Sequence, residues 1–196
     1  MRVIGVTGGA GAGKSMVLKY MEEKYHAEVI QADQVGHEVM EPGRSVYEEI
    51  LNVFGIEFRA EDGRIDRKAL GDVVFASEKK RRILNDIVHP AVKQEILCRI
   101  AQAQMEKKDC VVVEAALFLE EKYDAFCDET WYIYTNEERR RGRLKESRGY
   151  TDIRIDQIFR SQKTHEEFSS RCSHMIDNNG TQEDTCRQID KRMKDR

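Results

Sequence analysis

Short apolar runs alternate along this chain with longer amphipathic stretches, the pattern of parallel strands joined by crossover helices. Strands are expected at residues 3–7, 28–31, 110–114, 130–134 and 174–177. Each is short and mostly β-branched or aromatic, as strands buried on both faces are. A first helix is expected from about Lys14, packed on the sheet by Val17, Tyr20, Met21 and Tyr25 at helical spacing. Thr135 and Glu138 stand at capping-box spacing straight after the fourth strand, so a helix is expected there. It carries Arg139, Arg140, Arg141 and Arg143. The pattern predicts an α/β fold around a five-stranded parallel sheet.

Nearly eighty residues separate the second and third strands, far more than one crossover helix requires. They hold helical patterns of their own. Ser45 and Glu48 have capping-box spacing ahead of Val46, Ile50, Val53 and Phe54. A longer helix is expected after His89-Pro90, with Val92, Ile96, Ile100 and Ala103 on one face. The expectation is a helical insertion over roughly 34–109 within one domain spanning 1–196. It either recognises a substrate or is a purely structural layer.

The 33 basic and 36 acidic side chains leave a formal charge of -3, which predicts no nucleic-acid partner. No apolar run approaches the ~18 residues of a membrane span, and Met1-Arg2-Val3 leads straight into a strand pattern. A cytoplasmic protein without a membrane role is therefore expected, as a monomer or small homo-oligomer. The 5 cysteines are scattered, without a C-x-x-C pair, and read as reduced core thiols.

The chemistry is concentrated in Gly8-Gly9-Ala10-Gly11-Ala12-Gly13-Lys14-Ser15, which satisfies G-x-x-x-x-G-K-[ST] between a predicted strand and a predicted helix. Glycines let successive backbone N–H groups turn toward a ligand, and the helix N-terminus adds partial positive charge. Lys14 neutralises the β- and γ-phosphates, and Ser15 offers its hydroxyl to Mg²⁺. The loop thus predicts ATP or another nucleoside triphosphate with magnesium, and names no acceptor. Asp33-Gln34-Val35-Gly36 matches D-x-x-G, but no guanine-reading Asn/Thr-Lys-x-Asp is present, which argues against a GTPase. Val111-Val112-Val113-Glu114 resembles a Walker B strand ending in Glu. Small-molecule kinase is the favoured class, with a nucleotide-binding regulator as the alternative.

Further segments make the chain resemble the dephospho-CoA kinase family over nearly its whole length. They are Ile4 to Gly9 running into the loop, Ala32-Asp33, Glu41-Pro42-Gly43, Phe54-Gly55, Asp62 to Arg67, Val74-Phe75 and His89 to Val92. Leu117 to Glu120, Arg143-Leu144, Gln162 and Ile176 to Gly180 complete the set. The resemblance implies a three-layer α/β/α phosphate-loop fold with a helical acceptor-binding insertion and a helical lid near 137–163. It implies transfer of the γ-phosphoryl of ATP to the ribose 3′-hydroxyl of dephospho-CoA, with Asp33 as general base.

Met16 and Arg140 are expected to join the loop in binding nucleotide, and by the same resemblance Asn178 and Gly180 sit near the adenine. His89, Leu117 and Glu120 sit on the acceptor side. The residues themselves allow plainer roles: a helix cap for Asp33, a turn for Asn178 to Gly180, a helix-start residue for His89. Arg139, Arg140, Arg141, Arg143 and Arg148 are candidates to neutralise the transferring phosphoryl group. Arg143 is the foremost and Arg140 the next; a solvated surface role is the alternative for each. The chain departs from the family pattern at Gln31, Met16, Ala116, Ser147, Ile158 and Cys172-Ser173.

Overall fold

The structure, a computed structural model, describes residues 1–195. β1 (Arg2–Thr7) passes through the glycine-rich loop into α1 (Lys14–Tyr25), followed by β2 (Glu28–Gln31) and α2 (Ala32–Val39). Then come α3 (Ser45–Phe54), α4 (Arg67–Phe75), the long α5 (Glu78–Met105) and β3 (Cys110–Glu114). β4 (Glu129–Tyr134), α6 (Glu137–Arg148), α7 (Asp152–Ser161), α8 (His165–Arg171), β5 (His174–Asp177) and α9 (Gln182–Lys194) complete the chain. The five strands form one parallel sheet in the order β2-β3-β1-β4-β5, with Ile4 opposite Val112 and Val6 opposite Trp131. Cα-contact clustering divides the chain into two units, one of Met1–Val29 with the chain from Ala103 onward, the other of Ile30–Gln102.

In the first unit, alternate strand residues face opposite sides, as the two-residue period of a strand requires. Ile4, Val6, Val112, Trp131, Ile133 and Ile176 share one core with Val17, Leu18 and Met21 of α1 and Ile189 of α9. Each large side chain buried there contributes about 1.5–3 kcal/mol. On the other side Tyr132 stacks on Phe168 of α8 at 4.8 Å between ring centres. Two consequences matter for function. The crossover order puts β1 at the middle of the sheet, and both the loop after β1 and the segment after β4 leave from strand carboxyl ends, where open α/β sheets bind ligands.

The second unit is helical. Val35 and Val39 of α2, Val46, Ile50 and Leu51 of α3, and Val92 and Ile96 of α5 are buried. Asp66 caps α4 by accepting from the Ala69 N–H at 2.9 Å, and Asp62-Gly63 forms a turn, with the Asp62 carboxylate accepting from the Arg64 N–H.

Several local expectations are corrected. Thr135 does not cap α6: Asn136 does, accepting from the Arg139 N–H at 2.9 Å, because the Thr135 hydroxyl is turned inward to a backbone carbonyl. Ser45 is already helical, and Arg44 precedes it without a side-chain cap, so Ser45 and Glu48 make no capping box. The long helix does not begin after His89-Pro90. It begins at Glu78 and carries Pro90 inside it. Val88 and Leu84 continue the stripe of Val92 and Ile96 one and two turns back and are half-buried, so packing offsets the missing N–H of Pro90. Asp33 is likewise not a cap, since Gln31 occupies that position and Asp33 lies in the first turn of α2. Of the cysteines only Cys110 is buried, and Cys98 is exposed; all five are free.

Candidate active site

The loop between β1 and α1 is shaped by its glycines. Gly13 holds φ at +89°, a left-handed conformation that side chains rarely adopt, and a Cβ there would stand 2.2 Å from the Asn178 amide nitrogen. At Gly9 a Cβ would meet the Arg140 guanidinium at 2.3 Å. The glycines therefore serve two ends, turning the backbone and admitting polar side chains against it.

Lys14 opens α1 and folds back over the loop, its ammonium donating to the Gly8 carbonyl at 2.9 Å and lying 3.4 Å from the Glu114 carboxylate at the end of β3. Glu114 is buried, in keeping with the Walker B likeness of its strand. Ser15 is exposed at the start of α1 and Met16 half-buried behind it.

Arginines of α6 reach the loop from above its carbonyl side. The helix is set by its Asn136 cap, by Glu137 and Glu138 in its first turn, and by Gly149 at φ +62° beyond its last. The Arg140 guanidinium donates to the Ala10 carbonyl at 2.9 Å and to the Gln162 side-chain oxygen, and lies over the Phe159 ring at 4.3 Å. Arg143 donates to the Gly11 and Ala12 carbonyls at 3.3 and 3.2 Å, to the Thr135 hydroxyl at 3.3 Å and to the Asn178 carbonyl at 3.1 Å. Burial lowers the ordinary value of both guanidinium groups, and the charge of Arg139 lowers that of Arg143 further. Neither forms an ion pair with a carboxylate among the described residues, so both keep positive charge at the loop. Arg141 is turned away instead, paired with Asp152 and Asp156 of α7, and Arg148 lies 5.9 Å from the Tyr150 ring centre.

Asn178 follows β5 and is buried. Its amide donates to the Ala12 carbonyl at 2.7 Å, and its oxygen accepts from the Thr185 hydroxyl of α9 at 2.8 Å. Thr135 donates to the same Ala12 carbonyl at 2.9 Å. Gln162 completes the surround, its oxygen accepting from the Ala10 N–H at 3.2 Å.

The structure thus gathers Gly8 to Ser15, Arg140, Arg143 and Asn178 into one constellation. Gly180 lies in the exposed turn before α9, where Thr181 and Asp184 form a capping box. Leu117 is 47% exposed on the segment after β3, and Glu120 on the same segment pairs with Lys163 at 3.5 Å. Asp33, exposed in α2, and His89, half-buried inside α5, belong to the other unit. Sequence reasoning missed Thr185 and gave Thr135 the wrong task. The signal for Thr185 is its place on the buried stripe of α9, four residues before Ile189.

The residues fit a polyphosphate: a glycine-turned loop at a helix N-terminus, an ammonium from Lys14 and two guanidinium groups that make no ion pair with a carboxylate among the described residues. Such a loop at the carboxyl edge of a parallel sheet, with arginines from the helix after β4 laid against it, defines a phosphate-loop kinase. A family model described as dephospho-CoA kinase matches residues 2–184. The chain belongs to the dephospho-CoA kinase family. It is 36% identical over 186 residues to the dephospho-CoA kinase of Shouchella clausii, covering 95% of this chain and 94% of that one. Among solved structures it is similar to a Thermus thermophilus protein, with a TM-score of 0.83 at 25% identity covering 98% and 96% of the two chains. It shares its fold with a dephospho-CoA kinase from Campylobacter jejuni, with a TM-score of 0.73 at 22% identity covering 98% of each.

Proposed function

We propose that this protein transfers the γ-phosphoryl group of ATP to the ribose 3′-hydroxyl of dephospho-CoA, giving CoA and ADP. The observation that carries the reading is the fully formed phosphate loop, with Lys14 beside a buried Glu114, in a chain of this family. The backbone N–H groups of Gly8 to Ser15 and the Lys14 ammonium hold the β- and γ-phosphates. Ser15 supplies the protein hydroxyl for Mg²⁺, which when bound neutralises charge on the β- and γ-oxygens. Arg143 and Arg140 bring the positive charge that opposes the negative charge spreading over the transferring group.

Asp33 is the general base in this reading. Its carboxylate accepts the proton of the attacking hydroxyl and aligns that oxygen with the phosphorus. Residues 34–109 form the acceptor-binding insertion and include His89; residues 137–163 form the lid. Leu117 and Glu120 border the acceptor, and Asn178 and Gly180 the nucleotide. The enzyme is read as a cytoplasmic monomer or small homo-oligomer.

The test is to incubate the purified protein with Mg-ATP and dephospho-CoA and follow ADP and CoA. Turnover above that of Lys14→Ala supports the reading, and turnover equal to it overturns it. Asp33→Asn is expected to lower kcat by ~10²–10⁴ with ATP binding retained; unchanged turnover removes Asp33 from the role of base. The departures at Gln31, Ser147 and Ile158 favour one second reading, a phosphate-loop kinase for another small acceptor. ADP release with other nucleosides or small sugars but not with dephospho-CoA would favour it.

A further inference from the structure

The Ala12 carbonyl is the most heavily solicited group at the loop. Asn178 Nδ2 donates to it at 2.7 Å, Thr135 Oγ1 at 2.9 Å and Arg143 Nη1 at 3.2 Å. A carbonyl oxygen has two lone pairs, so three donors, one of them cationic, saturate it. That oxygen shares a peptide unit with the Gly13 N–H, which stands at the N-terminal end of α1, where helix N–H groups are left for a ligand. Donors on the oxygen of an amide polarise its N–H, strengthening the next hydrogen bond by about 10–30% per bond. They also fix the direction in which that N–H points.

Asn178 is itself held. The Ala12 oxygen can only accept, so the amide nitrogen must face it, which leaves the Asn178 oxygen for the Thr185 hydroxyl at 2.8 Å. Thr185 is fully buried, and Gly13 lacks the Cβ that would collide with this amide. A chain of two hydrogen bonds therefore runs from α9 through Asn178 to the Ala12-Gly13 peptide.

We propose that Asn178, aligned by Thr185, is a positioning residue for the polyphosphate, acting through the Ala12-Gly13 peptide to aim and strengthen the Gly13 N–H rather than by reading the adenine base. The proposal rests on nucleotide binding at this loop and specifies how part of that binding is built.

Calorimetric titration of wild type, Asn178→Ala, Thr185→Val and Thr185→Ser with Mg-ATP and with magnesium tripolyphosphate tests it. Asn178→Ala is expected to weaken ATP and tripolyphosphate by the same factor, about 10-fold, and Thr185→Val both by about 3-fold, the worth of one or two buried hydrogen bonds. Thr185→Ser, which keeps the hydroxyl, restores wild-type affinity for both. A loss for ATP with tripolyphosphate unchanged would make Asn178 a base-side contact and overturn the proposal, as would unchanged affinities for both ligands. Should Asn178→Ala fail to fold, the Thr185 pair decides by the same two outcomes. Wild type that binds neither ligand would refute nucleotide binding itself, a result distinct from every failure of the Asn178 variants.

Discussion

The two sides of the phosphate loop are built differently. On the carbonyl side, the oxygens of Ala10, Gly11 and Ala12 accept from Arg140, Arg143, Thr135 and Asn178. A phosphate has no proton to offer these oxygens, and the buried Thr135 and Asn178 stay on them when ligand arrives, while Arg140 and Arg143 each keep further N–H groups to turn toward the phosphate. On the donor side the partners are acceptors. The Ala10 N–H is met by the Gln162 amide oxygen, and the Lys14 ammonium by the Gly8 carbonyl and the Glu114 carboxylate. Phosphate oxygens can replace these one for one. One side holds the shape of the loop, and the other keeps its donors satisfied until a ligand claims them.

Removing a donor that the ligand needs has the largest effect. Lys14→Ala is expected to lower kcat by at least ~10²–10³, the usual consequence of losing one preorganised charge at a transferring phosphoryl group. The fold should persist, because the ammonium is replaced on a loop still gripped from its carbonyl side. A wild-type far-ultraviolet circular-dichroism spectrum, together with lost ADP formation, is the expected pair of results; Tm falls, because the buried Glu114 carboxylate loses its cation.

Gly13→Ala attacks the holding side. It would place a side chain at φ +89° and press a Cβ into the Asn178 amide, which two hydrogen bonds prevent from moving aside. Left-handed strain of about 1–2 kcal/mol and one lost hydrogen bond of about 1 kcal/mol give ~2–3 kcal/mol of destabilisation. At roughly 2–4 °C per kcal/mol for a chain of this size, Tm should fall by about 4–12 °C, with weaker ATP binding alongside. A Gly13→Ala protein with unaltered Tm would break the distinction between the two sides.

Gln162→Ala takes away a partner the ligand must displace, so its expected sign is the reverse. Freed of one competing acceptor, the Ala10 N–H is available to phosphate, and Kd for ADP or ATP should fall by about 3-fold, the worth of one neutral hydrogen bond. A rise in Kd, read by calorimetry, would move Gln162 to the holding side.

Much of this arrangement was legible in the sequence, and the division follows physical range. All five strands and the start of α1 follow from short apolar runs and one glycine-lysine pattern, local signals that survive folding. Thr135 was misread because capping-box spacing is a local signal that a nearby carbonyl outcompeted: the hydroxyl found Ala12, more than a hundred residues away in the chain. Pro90 was misread for a similar reason. A proline announces a helix start, but the stripe from Leu84 to Ile96 carries helix packing across it. At the candidate site, the loop and its arginines were expected by number. The Ala12 carbonyl as the meeting point of Asn178, Thr135 and Arg143 was not, since no spacing in a sequence encodes a shared backbone acceptor.

The smallest effect concerns what holds α9, the helix that anchors Asn178. Asp190 of α9 accepts from the hydroxyls of Tyr20 and Tyr25 at 2.8 and 2.7 Å and from the Lys24 ammonium at 2.7 Å. Burial alone would raise its carboxyl, but these hydrogen bonds outweigh burial and hold it at about 2. The unfolded value is about 3.9, so between these values the unfolded chain binds the proton and the folded chain does not. The contribution is therefore complete above about pH 4 and is lost as pH falls toward 2. Asp190→Asn should lower Tm by about 2–4 °C at pH 7, with the gap to wild type closing between pH 4 and 2 and tripolyphosphate affinity at pH 7 unchanged. A loss of affinity as large as that of Thr185→Val would show that the loop senses the whole of α9 rather than the Thr185 hydroxyl alone.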